Sequence, residues 1–240
     1  MSRFLGLIAA TMTAALITGC AITGDNKNDT EVLQDQAALA GRAATVLQQQ
    51  MLQPSQRRIP KALVDQARCI AVFPKVTQAG FIIGGQSGRG MISCRQRSGR
   101  FADAPPAVFN LSAASIGLQA GAAQRAVVLL FTTQQSVRAV FDSLVKLGSE
   151  VSVSAGPTGY DQSISSVAPI VAYGIARKGL YAGLNLGGGK VAFDKQANAA
   201  IYGPDPDPRE VLLLTHPVPQ SMHSYVAVLE QFVDNSPTGS

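Results

Sequence analysis

The chain has 240 residues, a formal net charge of +5, 46% hydrophobic residues and no tryptophan. That much apolar material excludes a disordered polyelectrolyte, and two histidines with three cysteines leave little from which to build a metal centre. Aromatic residues, at 6%, are too sparse for a nucleic-acid stacking surface, so no nucleic-acid partner is expected.

The N-terminus reads as a tripartite export signal. Arg3 supplies the positive n-region, and Phe4 to Thr18 form an apolar stretch too short to span a bilayer. The run Leu16-Ile17-Thr18-Gly19-Cys20 then resembles a bacterial lipobox, in which Cys20 is acylated and becomes the first mature residue. The alternatives are a plain secretory signal with a chance cysteine, or a buried N-terminal helix. Two or more acyl chains anchor a protein stably, so the expected product is membrane-tethered without a transmembrane helix. Ala21 stands where an aspartate would resemble an inner-membrane retention signal, which favours the outer membrane and a periplasm-facing domain. The expected organisation is a signal over 1–19, Cys20 with a flexible polar tether over 20–30, one domain over 31–233 and a disordered tail over 234–240.

A helix is expected to open at Asn28, where Asn28 and Glu31 have capping-box spacing. Leu33, Ala37, Ala40, Ala44, Leu47 and Met51 would form its apolar stripe, with glutamines and Arg42 opposite, and Pro54 would end it. The stripe suits a helix packed on the core; a membrane-binding helix would carry more basic and larger apolar residues. A short helix is expected from Pro60 to Arg68.

From Cys69 the pattern turns to strands. Segments 69–73, 80–84, 90–94, 107–112, 115–120 and 126–131 read as short strands separated by Gly, Pro or Ser turns. A capping box at Thr132 to Gln135 predicts a helix whose Val137, Val140, Phe141, Leu144 and Leu147 share a face, ended by Gly148. Further strands are expected over 150–155, 169–176, 179–186 and 190–194. Segment 204–208, with three prolines, reads as loop, and a last helix fits Gln220 to Val233. The predicted class is α+β: a mainly antiparallel β-sheet packed with N-terminal, middle and C-terminal helices in a single domain.

Cys69 and Cys94 would remain after processing. In an oxidising periplasm an even pair reads first as a disulfide, with two buried free thiols as the alternative. Neither lies in a C-x-x-C motif. Catalytic signatures are scarce. His216 and His223 sit near the C-terminus without a ligand cluster, and no metal or other cofactor is expected. Gly187 to Lys190 fails as a phosphate loop, because Leu184 and Val191 replace the required glycine and Ser or Thr. Gly85 to Arg89 fails as a nucleophile elbow, because Arg89 occupies the second glycine position. A non-enzymatic protein is expected.

Two basic clusters are candidates for lipid headgroups. Arg89, Arg95, Arg97 and Arg100 flank an expected hairpin in a stretch without acids, and Arg57, Arg58 and Lys61 lie between the first two helices. Each Lys or Arg near an anionic surface contributes about 1 kcal/mol. The alternative is a solvated hairpin tip that prevents edge-to-edge aggregation.

The motifs Ala71 to Pro74, Ala79 to Gly85, Gly88 to Gly90, Ser115 to Gly121, Val127 to Leu130, Lys146 to Gly148, Val153 to Pro157, Lys178 to Gly183 and Ala200 to Gly203 occur in order. Together they resemble the SYLF lipid-binding domain family over roughly residues 35–233. Members often carry Trp-Ser ahead of the strand that starts near residue 107; here the segment is Ala102 to Ala107 without tryptophan. The cysteine pair resembles that of some secreted bacterial members. The resemblance implies lipid binding; eukaryotic members recognise phosphoinositides, and some bind actin. In a bacterial periplasm, anionic phospholipid or lipid A phosphate is the expected substitute. The alternative function is an envelope interaction module that binds a protein partner and touches lipid only through its anchor.

Overall fold

The computed structural model describes residues 29–147, 151–154, 169–175, 186, 188–213 and 216–235. Cys20, the expected signal, tether residues 21–28 with the Asn28 cap, the expected strand over 179–186 apart from Leu186, and the expected tail beyond Asn235 lie outside the described residues; Asp29 and Thr30, expected in the tether, are the first residues of the N-terminal helix. Six helices and six strands are described: α1 (Asp29–Met51), α2 (Lys61–Gln66), β1 (Cys69–Cys94), β2 (Ala107–Phe131), α3 (Gln134–Phe141), β3 (Leu144–Leu147), β4 (Val151–Ser154), β5 (Ile170–Ile175), β6 (Gly189–Phe193), α4 (Lys195–Tyr202), α5 (Pro208–Leu213) and α6 (His223–Asp234). The domain is α+β, with helices at its start, middle and end.

The six short strands expected between Cys69 and Phe131 are two long ones. β1 and β2 pair antiparallel from Cys69↔Phe131 to Ile92↔Ala107, so glycine and proline bend a continuous ribbon here and do not break it. The bends sit at register shifts between Phe73 and Val76 and between Gly80 and Ile82. Pro74, which has no N–H to give a ladder, falls within the first shift. Gly80, at φ 153°, supplies the second with backbone that other residues resist. A straight strand of β1's length would span roughly 85 Å at about 3.3 Å per residue. Instead, the Cα atoms of Cys69 and Cys94 are 4.0 Å apart, joined by a disulfide. Beside it, Arg95 N–H donates to Arg68 O at 2.7 Å. β1 therefore curls back until its own ends meet.

β2 carries the rest of the sheet on its other edge. β6 pairs with Phe109 to Ser112 and β5 with Ala126 to Phe131, both antiparallel. β3 extends the sheet beyond β6, and β4 pairs parallel with β5, the one parallel pair described. Both faces are buried, which explains the near-continuous apolar strand sequences. Ile70, Val72, Val128 and Leu130 point into a cluster with α1, α2 and α6. Their neighbours Cys69, Ala71, Phe73, Val127, Leu129 and Phe131 point into the other, with Val140 and with Val211 and Leu212 of α5.

The helices differ from expectation in four places. On α1 the buried face is Val32, Gln36, Leu39, Ala43, Val46 and Gln50 together with Ala40 and Leu47, while Leu33 is 44% exposed. The stripe is rotated, and two glutamines placed on the solvent side by sequence lie inside. Their amides find no hydrogen-bond partner among the described residues. α2 starts at Lys61 with Pro60 as its N-cap. α3 stops at Phe141, followed by Ser143 at φ +66°, so Leu144 and Leu147 belong to β3, where exposure alternates with burial. Finally, α4 and α5 occupy segments without an expected helix. The Asp194 carboxylate accepts from Ala197 N–H at 3.0 Å to cap α4. Asp207 Oδ1 accepts from Arg209 and Glu210 N–H at 2.8 and 3.1 Å to cap α5, and Pro208 takes the first helical position.

Candidate functional site

The seven basic candidates read from sequence do not converge on one surface, and most are committed to other parts of the domain. Arg89, on β1, meets Asp194 Oδ2 at 3.2 Å. Asp194 also accepts from Asn110 Nδ2 at 3.0 Å, so it ties β1, β2 and α4 together. Arg95 donates to the carbonyls of Ala67, Gly99 and Val64 at 3.2, 2.7 and 3.3 Å, with its guanidinium 4.6 Å over the Phe101 ring. That is a clamp on the loop joining β1 to β2. Arg100 pairs with Glu230 of α6 at 3.3 Å and with Asp103 at 3.6 Å. Arg58 donates to Gln53 O at 2.6 Å, and Lys61 pairs with Asp65 at 2.8 Å. Arg57 is exposed on a 3-10 turn over Ser55–Arg57. Arg97 is exposed on the loop between β1 and β2. The acid-free stretch in sequence is thus supplied with acids from α6 and the start of α4.

The histidines are also accounted for. His223 Nε2 contacts Val218 O at 2.9 Å, and the His216 ring lies 5.7 Å from that of Tyr202. The Tyr202 hydroxyl donates to Pro106 O at 2.5 Å, and burial pushes its pKa well above the ordinary phenol value. Burial does the same to Tyr225, more strongly than the neighbouring Ser93 hydroxyl opposes it. Among the described residues no group of three His, Cys, Asp or Glu is placed to hold a metal, and no helix is long and apolar enough to cross a membrane.

Two open grooves adjoin at Arg68, at the junction of α2 and β1. One, of about 540 Å³, is lined by Asp65, Gln66, Ala67, Arg68, Arg95, Thr132 and Thr133. The other, of about 350 Å³, lies between that junction, α3 and α5, and is lined by Arg68, Gln134, Val137, Arg138, Phe141, Asp142 and Arg209. Arg209 stacks over Phe141 at 5.1 Å. Sequence reading missed this second concentration of arginine, because its members come from three distant places in the chain. No local motif announces it.

The motifs shared with SYLF domains run along the curled β1–β2 ribbon and into α4, and the domain is of that type. Residues 112–232, half of the chain, match the family model described as Ysc84, Las17-binding protein actin regulator, and the chain belongs to this family. Similar relatives include Protein YSC84 of Saccharomyces cerevisiae, 28% identical over 179 residues, covering 72% of this chain and 37% of that protein. LAS seventeen-binding protein 3 of the same yeast is 30% identical over 152 residues, 60% of this chain and 32% of that protein. SH3 domain-containing YSC84-like protein 1 of Homo sapiens is 24% identical over 181 residues, 73% of this chain and 52% of the relative. The chain spans about a third of the yeast relatives' length and about half of the human one. The names of these relatives describe binding and SH3-containing proteins.

Proposed function

We propose that the chain is a non-enzymatic, lipid-anchored protein of the bacterial outer membrane whose periplasm-facing SYLF domain contacts anionic headgroups. The observation that carries the reading is the order of Arg3, a short apolar run and Leu16 to Cys20, which fits an acylated N-terminal cysteine. Acyl chains on Cys20 supply attachment, and basic side chains such as Arg97, exposed and without an ion-pair partner among the described residues, supply headgroup contact. Removal of residues 1–19 takes Arg3 and lowers the net charge from +5 to +4, a positive balance that suits such a surface. Mass spectrometry of the membrane-extracted protein tests the anchor; an unmodified Cys20 overturns it. Flotation of acyl-free protein with anionic and neutral vesicles at low salt tests the domain, and equal recovery with both overturns the charge-based contact.

A second reading rests on the relatives' names. One yeast relative, matched in two strains, is named as binding LAS seventeen, which favours a SYLF domain that docks a protein partner. In this chain that partner would be an envelope protein, with lipid contact left to the anchor. Stoichiometric recovery of one partner on the acyl-free domain, with no vesicle binding, supports this reading over the first.

A further inference from the structure

We propose that the groove between α3, α5 and the α2–β1 junction binds a small phosphomonoester through Arg68, Arg138 and Arg209. All three guanidinium-bearing residues are exposed, line this one groove and have no ion-pair partner among the described residues. Three cations held in one groove repel one another unless an anion lies between them. The nearby acids do not fill that role. Asp207 spends its carboxylate on the first N–H groups of α5, and Asp142, which lines the groove, pairs with none of the three.

The adjoining groove makes the contrast. Its Arg95 is consumed by three backbone carbonyls, which leaves Arg68 as its uncommitted cation. Of these two grooves, only the α3–α5 one concentrates arginines without an ion-pair partner among the described residues. A phosphomonoester matches that set better than a carboxylate does. It brings three terminal oxygens and nearly two negative charges, and planar guanidinium forks bind such oxygens in pairs. The groove's volume of about 350 Å³ falls within the range of small-ligand sites and leaves room for an organic group beside the phosphate. Val137 and Phe141, both half-buried, give that group an apolar wall. Arg209, already stacked on Phe141, is held in place before ligand arrives, which limits the entropy lost on binding. The phosphate can belong to a soluble metabolite or to the headgroup of a lipid.

The test is calorimetric titration of the full chain carrying Cys20→Ser, which cannot be acylated, with glycerol 3-phosphate, and flotation of the same detergent-free protein with vesicles containing phosphatidic acid. At least one probe is expected to bind saturably, and Arg68→Gln, Arg138→Gln and Arg209→Gln are each expected to weaken it about tenfold or more. Arg42→Gln, an exposed arginine of α1 outside the groove, is expected to leave it unchanged. Binding of glycerol 3-phosphate assigns a soluble source; an effect of the three substitutions on phosphatidic acid vesicles alone assigns a lipid source. If neither probe's binding falls in the three variants, or if it falls as far in Arg42→Gln, the proposal is overturned. Glycerol 3-phosphate binding without any vesicle binding would remove the headgroup reading above and leave the groove standing.

Discussion

Gly90→Ala tests the curl of β1 directly. A Cβ on Gly90 would lie 2.5 Å from Val72 O and 2.5 Å from Phe73 Cδ1, across the place where the strand returns to itself. Neither neighbour has room to yield, since one is backbone and the Phe73 side chain is fully buried. Overpacking of this kind costs about 1–3 kcal/mol, and the smaller entropy of the unfolded alanine chain returns about 0.4–1 kcal/mol. A net loss of about 1–2 kcal/mol follows, which lowers Tm by about 2–8 °C for a domain of this size. Gly41→Ala is the companion experiment. It sits inside α1 with nothing within 4 Å of its Cβ, and should raise stability by about 0.5–1 kcal/mol. Denaturant unfolding without reductant measures both, with unchanged m-values as the condition for comparing them. If Gly90→Ala matched or exceeded the parent in stability, the close return of β1 would be wrong.

Gln50→Met should raise stability by about 1–2 kcal/mol, because it removes a buried amide without a partner while keeping its length; a loss in urea unfolding would show that the amide is satisfied. Asp194→Ala should cost about 2–3 kcal/mol by removing the α4 cap and the contacts to Asn110 and Arg89, and Asp194→Asn should recover the cap's share of about 1 kcal/mol. Equal losses in the two variants would refute that division. Stability should also fall as pH rises above about 10, the ordinary phenol value. There the unfolded chain releases the Tyr202 and Tyr225 protons while the folded chain retains them, so the unfolded state binds fewer protons and gains at about 1.4 kcal/mol per pH unit per tyrosine. Tyr225→Phe should flatten the alkaline slope by one such share, and an unaltered slope would refute the assignment.

Much of the fold was readable because local signals and tertiary context agreed. The strand at Ile170 to Ile175, the strand ending at Phe193 and the terminal helix all emerged from apolar runs bounded by turn residues. The β1–β2 ribbon did not, because glycine and proline mark bends and turns alike; only the long ladder from Cys69↔Phe131 to Ile92↔Ala107 tells which. The buried face of α1 was misread for a related reason: alanine is so small that several stripes fit, and packing against α6 and β1 selected one that includes Gln36 and Gln50. The basic clusters fared worst. Adjacency in sequence grouped Arg89, Arg95 and Arg100, but Asp194, backbone carbonyls and Glu230 claim them separately. The arginines of the groove share no sequence neighbourhood, so only the folded chain brings them together.

The Cys69–Cys94 bridge joins the two ends of a segment of 26 residues that is one strand for its whole length. A peptide-bond break anywhere between those cysteines therefore yields no free fragment. The two pieces stay covalently one molecule, each still laced to β2 by its half of the ladder. Damage in the longest strand would pass unnoticed by size under non-reducing conditions and appear only once the bridge is reduced. Such a bridge makes the longest described strand tolerant of a single cut.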